Sequence, residues 1–230
     1  MFIGHFAVGF AAKRVTPRIS LAILFLAVQL ADLLWPVLVA AGVERVKLQP
    51  GNTAFTPLDF VSYPYSHSLL MLAIWGLALG FAYRVIRHRD GTTMLLLFLL
   101  VVSHWVLDWI THRPDMPTYP GGPKVGLGLW NSVPATLIVE LAMFAIGVWV
   151  YSRATRARDA IGRWSLVGLV GVLLAVYCTN LASGAPPSVN AIWIAGMIGG
   201  ALLLIWAWWT DAHRHSTESN CQSMVRGQGA

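Results

Sequence analysis

The sequence predicts an all-α polytopic membrane protein: six transmembrane helices, a short half-inserted helix ahead of them, and both termini in the cytoplasm. Three observations predict it. The 230 residues are 57% hydrophobic and 11% charged, proportions of a membrane chain and not of a soluble domain. Six apolar runs, at 19–42, 67–86, 92–111, 133–152, 164–183 and 189–209, each approach the ~20 residues a helix needs to cross ~30 Å of hydrocarbon. The basic residues, finally, fall unequally between the two sets of loops.

Lys13, Arg14 and Arg18 precede the first run, and Arg84, Arg87 and Arg89 lie between the second and third. Arg153, Arg156, Arg158 and Arg163 follow the fourth, and Arg214 and Arg226 follow the sixth. The alternate loops hold only Arg45, Lys47, Arg113 and Lys124. Positive residues stay on the cytoplasmic side, which fixes the orientation. The net charge of +6 therefore sets topology and does not call for a nucleic-acid partner.

In order, residues 2–12 are mostly apolar but too short to cross, so they read as half-inserted or interfacial. They precede their basic cluster, the reverse of a signal peptide. The first span carries Asp32, ~21 Å of helix above Arg18, and Pro36, which is expected to kink it. The second opens at His67, with Ser66 as a candidate N-cap. The third ends in Ser103–Asp115, the fourth carries Glu140, and the fifth and sixth hold no acidic residue or histidine and read as scaffold. Gly196, Gly199 and Gly200 suggest close helix packing. Trp35, Trp105, Trp109 and Trp130 read as an outer aromatic belt. Residues 1–210 form one transmembrane domain and 211–230 a disordered cytoplasmic tail. Cys178 and Cys221 lie in such different settings that neither a disulfide nor a thiolate metal site is expected.

His104, Asp108 and His112 stand at i, i+4 and i+8, one face of a helix. Two imidazoles and a carboxylate suit a borderline divalent ion such as zinc, and such groups inside a membrane point to function. The topology brings Asp32, His67, His104, Asp108 and Glu140 toward one level in the outer half of the bilayer. His5 joins them only if the N-terminal segment tilts inward; eight helical residues from Lys13 lift it ~12 Å. The alternatives are a His104–Asp108 pair that only satisfies itself, an interfacial His5, an Asp32 that hydrogen-bonds at the kink, and a Glu140 paired with Arg113 or Lys124.

The order His5, Asp32, Ser66-His67-Ser68, His104-x-x-x-Asp108 resembles the LexA-regulated membrane-bound metal-dependent hydrolases, inner-membrane proteins with no settled substrate. The resemblance covers roughly the first 140 residues. It departs at Tyr63-Pro64-Tyr65-Ser66-His67, where many members carry Arg-Gly-x-x-His. The series is also similar to part of the ligand set of zinc-dependent phospholipase C. Together these imply a hydrolase with a divalent metal, zinc in the first instance, held by His5, Asp32, His67, His104 and Asp108. Glu140 or His112 would move the proton, and the substrate would be a membrane lipid or a phosphoester at the outer leaflet. Two other classes stay open: a proton or metal-ion transporter using the same cluster, and a non-catalytic structural membrane protein.

Overall fold

A computed structural model describes residues 1–88 and 90–217. The helices are α1 (Ile3–Ala12), α2 (Leu21–Val28), α3 (Leu30–Ala40), α4 (Pro64–His67), α5 (Leu69–Arg87), α6 (Gly91–Thr111), α7 (Val133–Ala154), α8 (Ala160–Ala182) and α9 (Val189–Ala212). Three short antiparallel ladders tie the loops: β1 (Arg45–Leu48) with β2 (Leu58–Ser62), β3 (Met116–Pro117) with β4 (Lys124–Val125), and β5 (Thr155–Ala157) with β6 (Arg214–Ser216). Five helices are long and apolar enough to cross a membrane, and α2 with α3 makes a sixth span bent by 58°. Exposed apolar side chains such as Leu77, Phe81, Ile138, Ile146, Leu202 and Ile205 clothe these helices, as lipid-facing surfaces require. The chain is a multi-pass membrane protein.

Local chemistry sets the helix starts. Ser20, Ser68, Asp90, Ser132, Asp159 and Ser188 each accept a hydrogen bond from the backbone N–H three residues on, which satisfies a donor the helix cannot use itself. Ser68, not Ser66, therefore caps the second span, because Ser66 and His67 form the separate turn α4.

The half-inserted helix expected at 2–12 is α1, and it is the pivot of the fold. Gly147 of α7 faces the backbone of Ala7 so closely that a Cβ there would collide with the Ala7 carbonyl. Small residues permit such backbone approach, the main source of helix affinity in lipid. Phe6 and Phe10 then pack edge-on against Phe25, with ring centroids 4.9 Å apart in each pair. Phe144, Tyr151 and Leu169 complete that core. A second core joins α2, α5 and α6 through Leu24, Val28, Leu72 and Leu97. The residue-1 end of α1 is buried against Asp108.

Other expectations also need correction. The first span breaks at Gln29, seven residues before Pro36, which sits inside α3. Proline removes one helical hydrogen bond, yet α3 passes through it. Trp35 and Trp130 are buried, against Phe60 and His112 respectively, and are wall rather than belt. Gly196 and Gly200 do meet a neighbour, Pro36 and Leu33 of α3, whereas Gly199 faces open space. Of the segment expected to be disordered from Asp211, residues 211–216 lie in α9, its C-cap and β6, which pairs with β5, while residues 218–230 lie outside the described residues. Arg89, Cys221 and Arg226 lie outside the described residues, and Cys178 is a free, exposed thiol.

Candidate metal centre

Helices α1, α3, α4 and α6 deliver the polar residues to one place. α6 contributes His104 and Asp108 one turn apart and ends with His112 as its C-cap. α4 supplies His67, α3 supplies Asp32 just past the break, and α1 supplies His5. All are buried except Asp32, whose side chain is 39% exposed and forms the open edge of the cluster. His5, His104 and Asp108 form one group able to hold a metal ion; Asp32, His67 and His104 form another.

Each of His67 and His104 lies close to both carboxylates. His104 Nε2 lies 3.1 Å from Asp108 Oδ2 and 3.8 Å from Asp32 Oδ1. His67 Nε2 lies 3.4 Å from Asp32 Oδ1 and 3.9 Å from Asp108 Oδ2. A tetrahedral zinc with bonds of ~2.0–2.2 Å has ligand–ligand edges of about 3.3–3.6 Å. The four histidine–carboxylate separations lie around that value, with Asp32 and Asp108 belonging to different three-residue groups that share His104.

The proton positions reinforce this. His104 Nδ1 is 2.7 Å from the Val28 carbonyl, which only accepts, so Nδ1 carries a proton and Nε2 is the nitrogen turned toward the carboxylates. Although 3.1 Å from Asp108, His104 Nε2 makes no hydrogen bond. His112 repeats the pattern. Its Nδ1 donates to Asp115 Oδ1 at 3.0 Å and its Nε2 stands 4.0 Å from Asp108 Oδ2. Histidines tied outward through one nitrogen, with the other turned toward carboxylates, are the usual metal-site arrangement. The residues fit a bound divalent ion.

His5 is turned the other way. Its Nε2 meets Asp108 Oδ1 at 3.0 Å, its Nδ1 has no partner, and its ring stacks on His104 at 3.7 Å. Asp108 thus uses Oδ2 toward the other histidines and Oδ1 toward His5 and the Met1 nitrogen.

Glu140 is fully buried in α7, where Oε2 accepts from the backbone N–H groups of Phe2 at 2.9 Å and Gly4 at 3.3 Å. Those donors open α1, where a carboxylate is favoured by the helix dipole. Glu140 does not pair with Arg113 or Lys124. Arg113 bonds Asp59 and Asp115, and Lys124 bonds the Val61 carbonyl at 3.2 Å.

Around His112 the loops close a wall. Trp130 packs at 4.3 Å and Phe60 at 4.9 Å from its ring. The Tyr63 hydroxyl donates to Asp115 Oδ1 at 2.9 Å. Burial lowers the His112 pKa, partly opposed by Asp115. Burial alone would raise Asp115, but hydrogen bonds from His112, Tyr63 and Arg113 hold its carboxyl below the usual range. Burial and the Asp115 charge push the Tyr63 hydroxyl well up. Of these supporting groups, Tyr63 and the Val28 carbonyl carry no sequence signal: neither belongs to a ligand spacing or a polar cluster.

Among curated proteins, the chain is similar to the UPF0718 protein YraQ of Escherichia coli (strain K12). The two are 29% identical over 170 residues, 69% of this chain and 47% of that protein. The chain thus spans about half the length of the relative it matches. No protein-family model matches the chain, and no solved structure matches it.

Proposed function

We propose that this protein is a membrane-embedded metal-dependent hydrolase acting on a lipid or lipid-linked phosphoester at the outer leaflet. Asp32, His67, His104 and Asp108 would hold a single zinc-like ion. One observation carries this: the imidazole nitrogens of His67 and His104 and the oxygens of Asp32 and Asp108 face one another at zinc-ligand spacing. Such an ion, when bound, lowers the pKa of a coordinated water from ~15.7 toward ~7 and polarises the ester under attack.

The chain's own residues supply the rest. His112, neutral and with Nε2 free of a proton, takes the proton of the attacking water and returns it to the leaving oxygen. Asp115 holds that tautomer, as the carboxylate does in hydrolytic triads, while Trp130 and Phe60 keep bulk water from the ring. His5 and Glu140 act as supports: His5 orients Asp108, and Glu140 anchors the α1 end that carries His5. The exposed edge at Asp32 is where substrate meets the cluster.

The test is metal content and hydrolysis of a chromogenic phosphodiester by purified protein, with and without chelator. The proposal expects close to one zinc per chain and activity that chelation abolishes and zinc restores. Protein that carries no metal overturns it, as does zinc flux into proteoliposomes without hydrolysis, which indicates a transporter.

A further inference from the structure

Glu44 lies in the turn after α3, is 1% exposed and belongs to none of the ligand groups. Its carboxylate is nonetheless fully engaged. Oε1 accepts from the backbone N–H groups of Tyr65 at 2.8 Å and Ser66 at 2.9 Å. Oε2 accepts from the Ser66 hydroxyl at 2.6 Å, and the same hydroxyl oxygen lies 2.7 Å from His67 Nδ1. A hydroxyl has one proton. With it committed to Glu44, Ser66 Oγ can only accept from His67, so Nδ1 of His67 carries a proton and Nε2 is the nitrogen that faces Asp32 and Asp108.

We infer that Glu44 is a positioning residue for the metal centre, acting through Ser66 to fix the His67 tautomer that can bind an ion. This rests on the metal reading above and deepens it. Metal-ligating histidines commonly donate their second nitrogen to a carboxylate or carbonyl, and loss of that partner costs ~10–100-fold in metal affinity. Val28 supplies such a carbonyl to His104; here a serine stands between carboxylate and imidazole. It spans a gap that the one-turn helix α4 creates by holding its N-terminal N–H groups, not the imidazole, against Glu44.

Glu44→Gln gives a signature that mere loss of structure would not. The two backbone donors keep the amide oxygen on their side, which leaves the amide NH2 facing Ser66. Ser66 Oγ then accepts from Gln and donates to His67 Nδ1, which moves the imidazole proton to Nε2. The measurement is 15N NMR of imidazole-labelled, metal-free protein in detergent near pH 8, with His67→Gln assigning the resonances. Wild type is expected to show Nδ1–H with bare Nε2, Glu44→Gln the reverse, and Ser66→Ala no fixed preference. Zinc titration of the same samples should show affinity reduced ~10–100-fold in both variants. An unchanged tautomer in Glu44→Gln and Ser66→Ala overturns the inference. If Glu44→Gln does not fold, Ser66→Ala, which leaves both backbone bonds in place, decides alone. A wild-type tautomer as stated in protein that binds no zinc leaves the relay standing and removes the metal reading.

Discussion

Two buried polar clusters sit at opposite ends of this molecule. At the basic face, Lys13 Nζ donates to Asp211 Oδ2 at 2.7 Å and to the Ile19 carbonyl at 2.8 Å. The Tyr151 hydroxyl donates to Asp211 Oδ1 at 2.9 Å, and the Leu21 N–H donates to Oδ2 at 3.2 Å. Arg214 covers the Tyr151 ring and spends its donors on Thr155 and the Gly162 carbonyl. Each charge there has an opposite charge or an acceptor, and no polar side-chain atom of the set lacks a partner. At the other end, His5 Nδ1, His104 Nε2 and Glu140 Oε1 make no hydrogen bond. Equal burial thus accompanies opposite bookkeeping. A closed network locks elements together, here α1, α2, α7 and α9, whereas a cluster with open lone pairs is shaped for something still to be added.

Metal content and thermal stability should therefore respond oppositely to changes in the two clusters. The largest effect is expected at the metal centre, where His104→Ala or Asp108→Ala should strip most of the bound zinc, because an ion short of a ligand is no longer held in its preferred geometry. His215→Ala, beyond the bundle in β6, should strip none. Asp115→Asn should keep zinc and lower phosphodiester turnover ~10²–10⁴-fold, the span for a general base deprived of its correct tautomer. At the basic face, Lys13→Met should leave zinc content unchanged and destabilise the fold by about 3–5 kcal/mol, since it strands a nearly buried Asp211. A lowered melting temperature at constant zinc is the reading that checks it. The smallest effect is expected at Glu140. Glu140→Gln retains an acceptor for Phe2 and Gly4 and should change turnover and melting little, whereas Glu140→Ala removes it and costs about 1–2 kcal/mol. A loss of turnover in Glu140→Gln with zinc intact would return the proton-transfer role to Glu140.

Much of the architecture is legible in the sequence because membrane spans are written in hydrophobic length. Each of the six apolar runs is found within a few residues of a helix or, for the first, a bent pair. The break at Gln29 was not legible. Leu30 and its neighbours are ordinary helix formers, and Pro36, the visible breaker, is accommodated; the break is a tertiary matter that frees the Val28 carbonyl for His104. The ladders β1–β2, β3–β4 and β5–β6 were missed because two to five residues carry no usable period.

At the site, the i, i+4 pattern on α6 and the depth argument brought His104, Asp108, His67 and Asp32 to one level, and the structure places them together. His5 was undecided because one histidine on a ten-residue helix has no pattern; what decides it is the approach of Ala7 to Gly147. Glu44 was invisible for a different reason. In Glu44-Arg45-Val46-Lys47 it reads as one more loop charge, and only the return of the chain at Tyr65 and Ser66 turns it inward.

X-ray absorption at the zinc edge of the purified protein tests the central claim most directly. The account predicts about one zinc per chain with four nitrogen or oxygen ligands near ~2.0–2.1 Å, two of them imidazoles. In an Asp32→Ala, His67→Ala double variant, both the zinc and its signal should disappear. Zinc absent from the wild type, or present with the same spectrum and stoichiometry in the double variant, would contradict it.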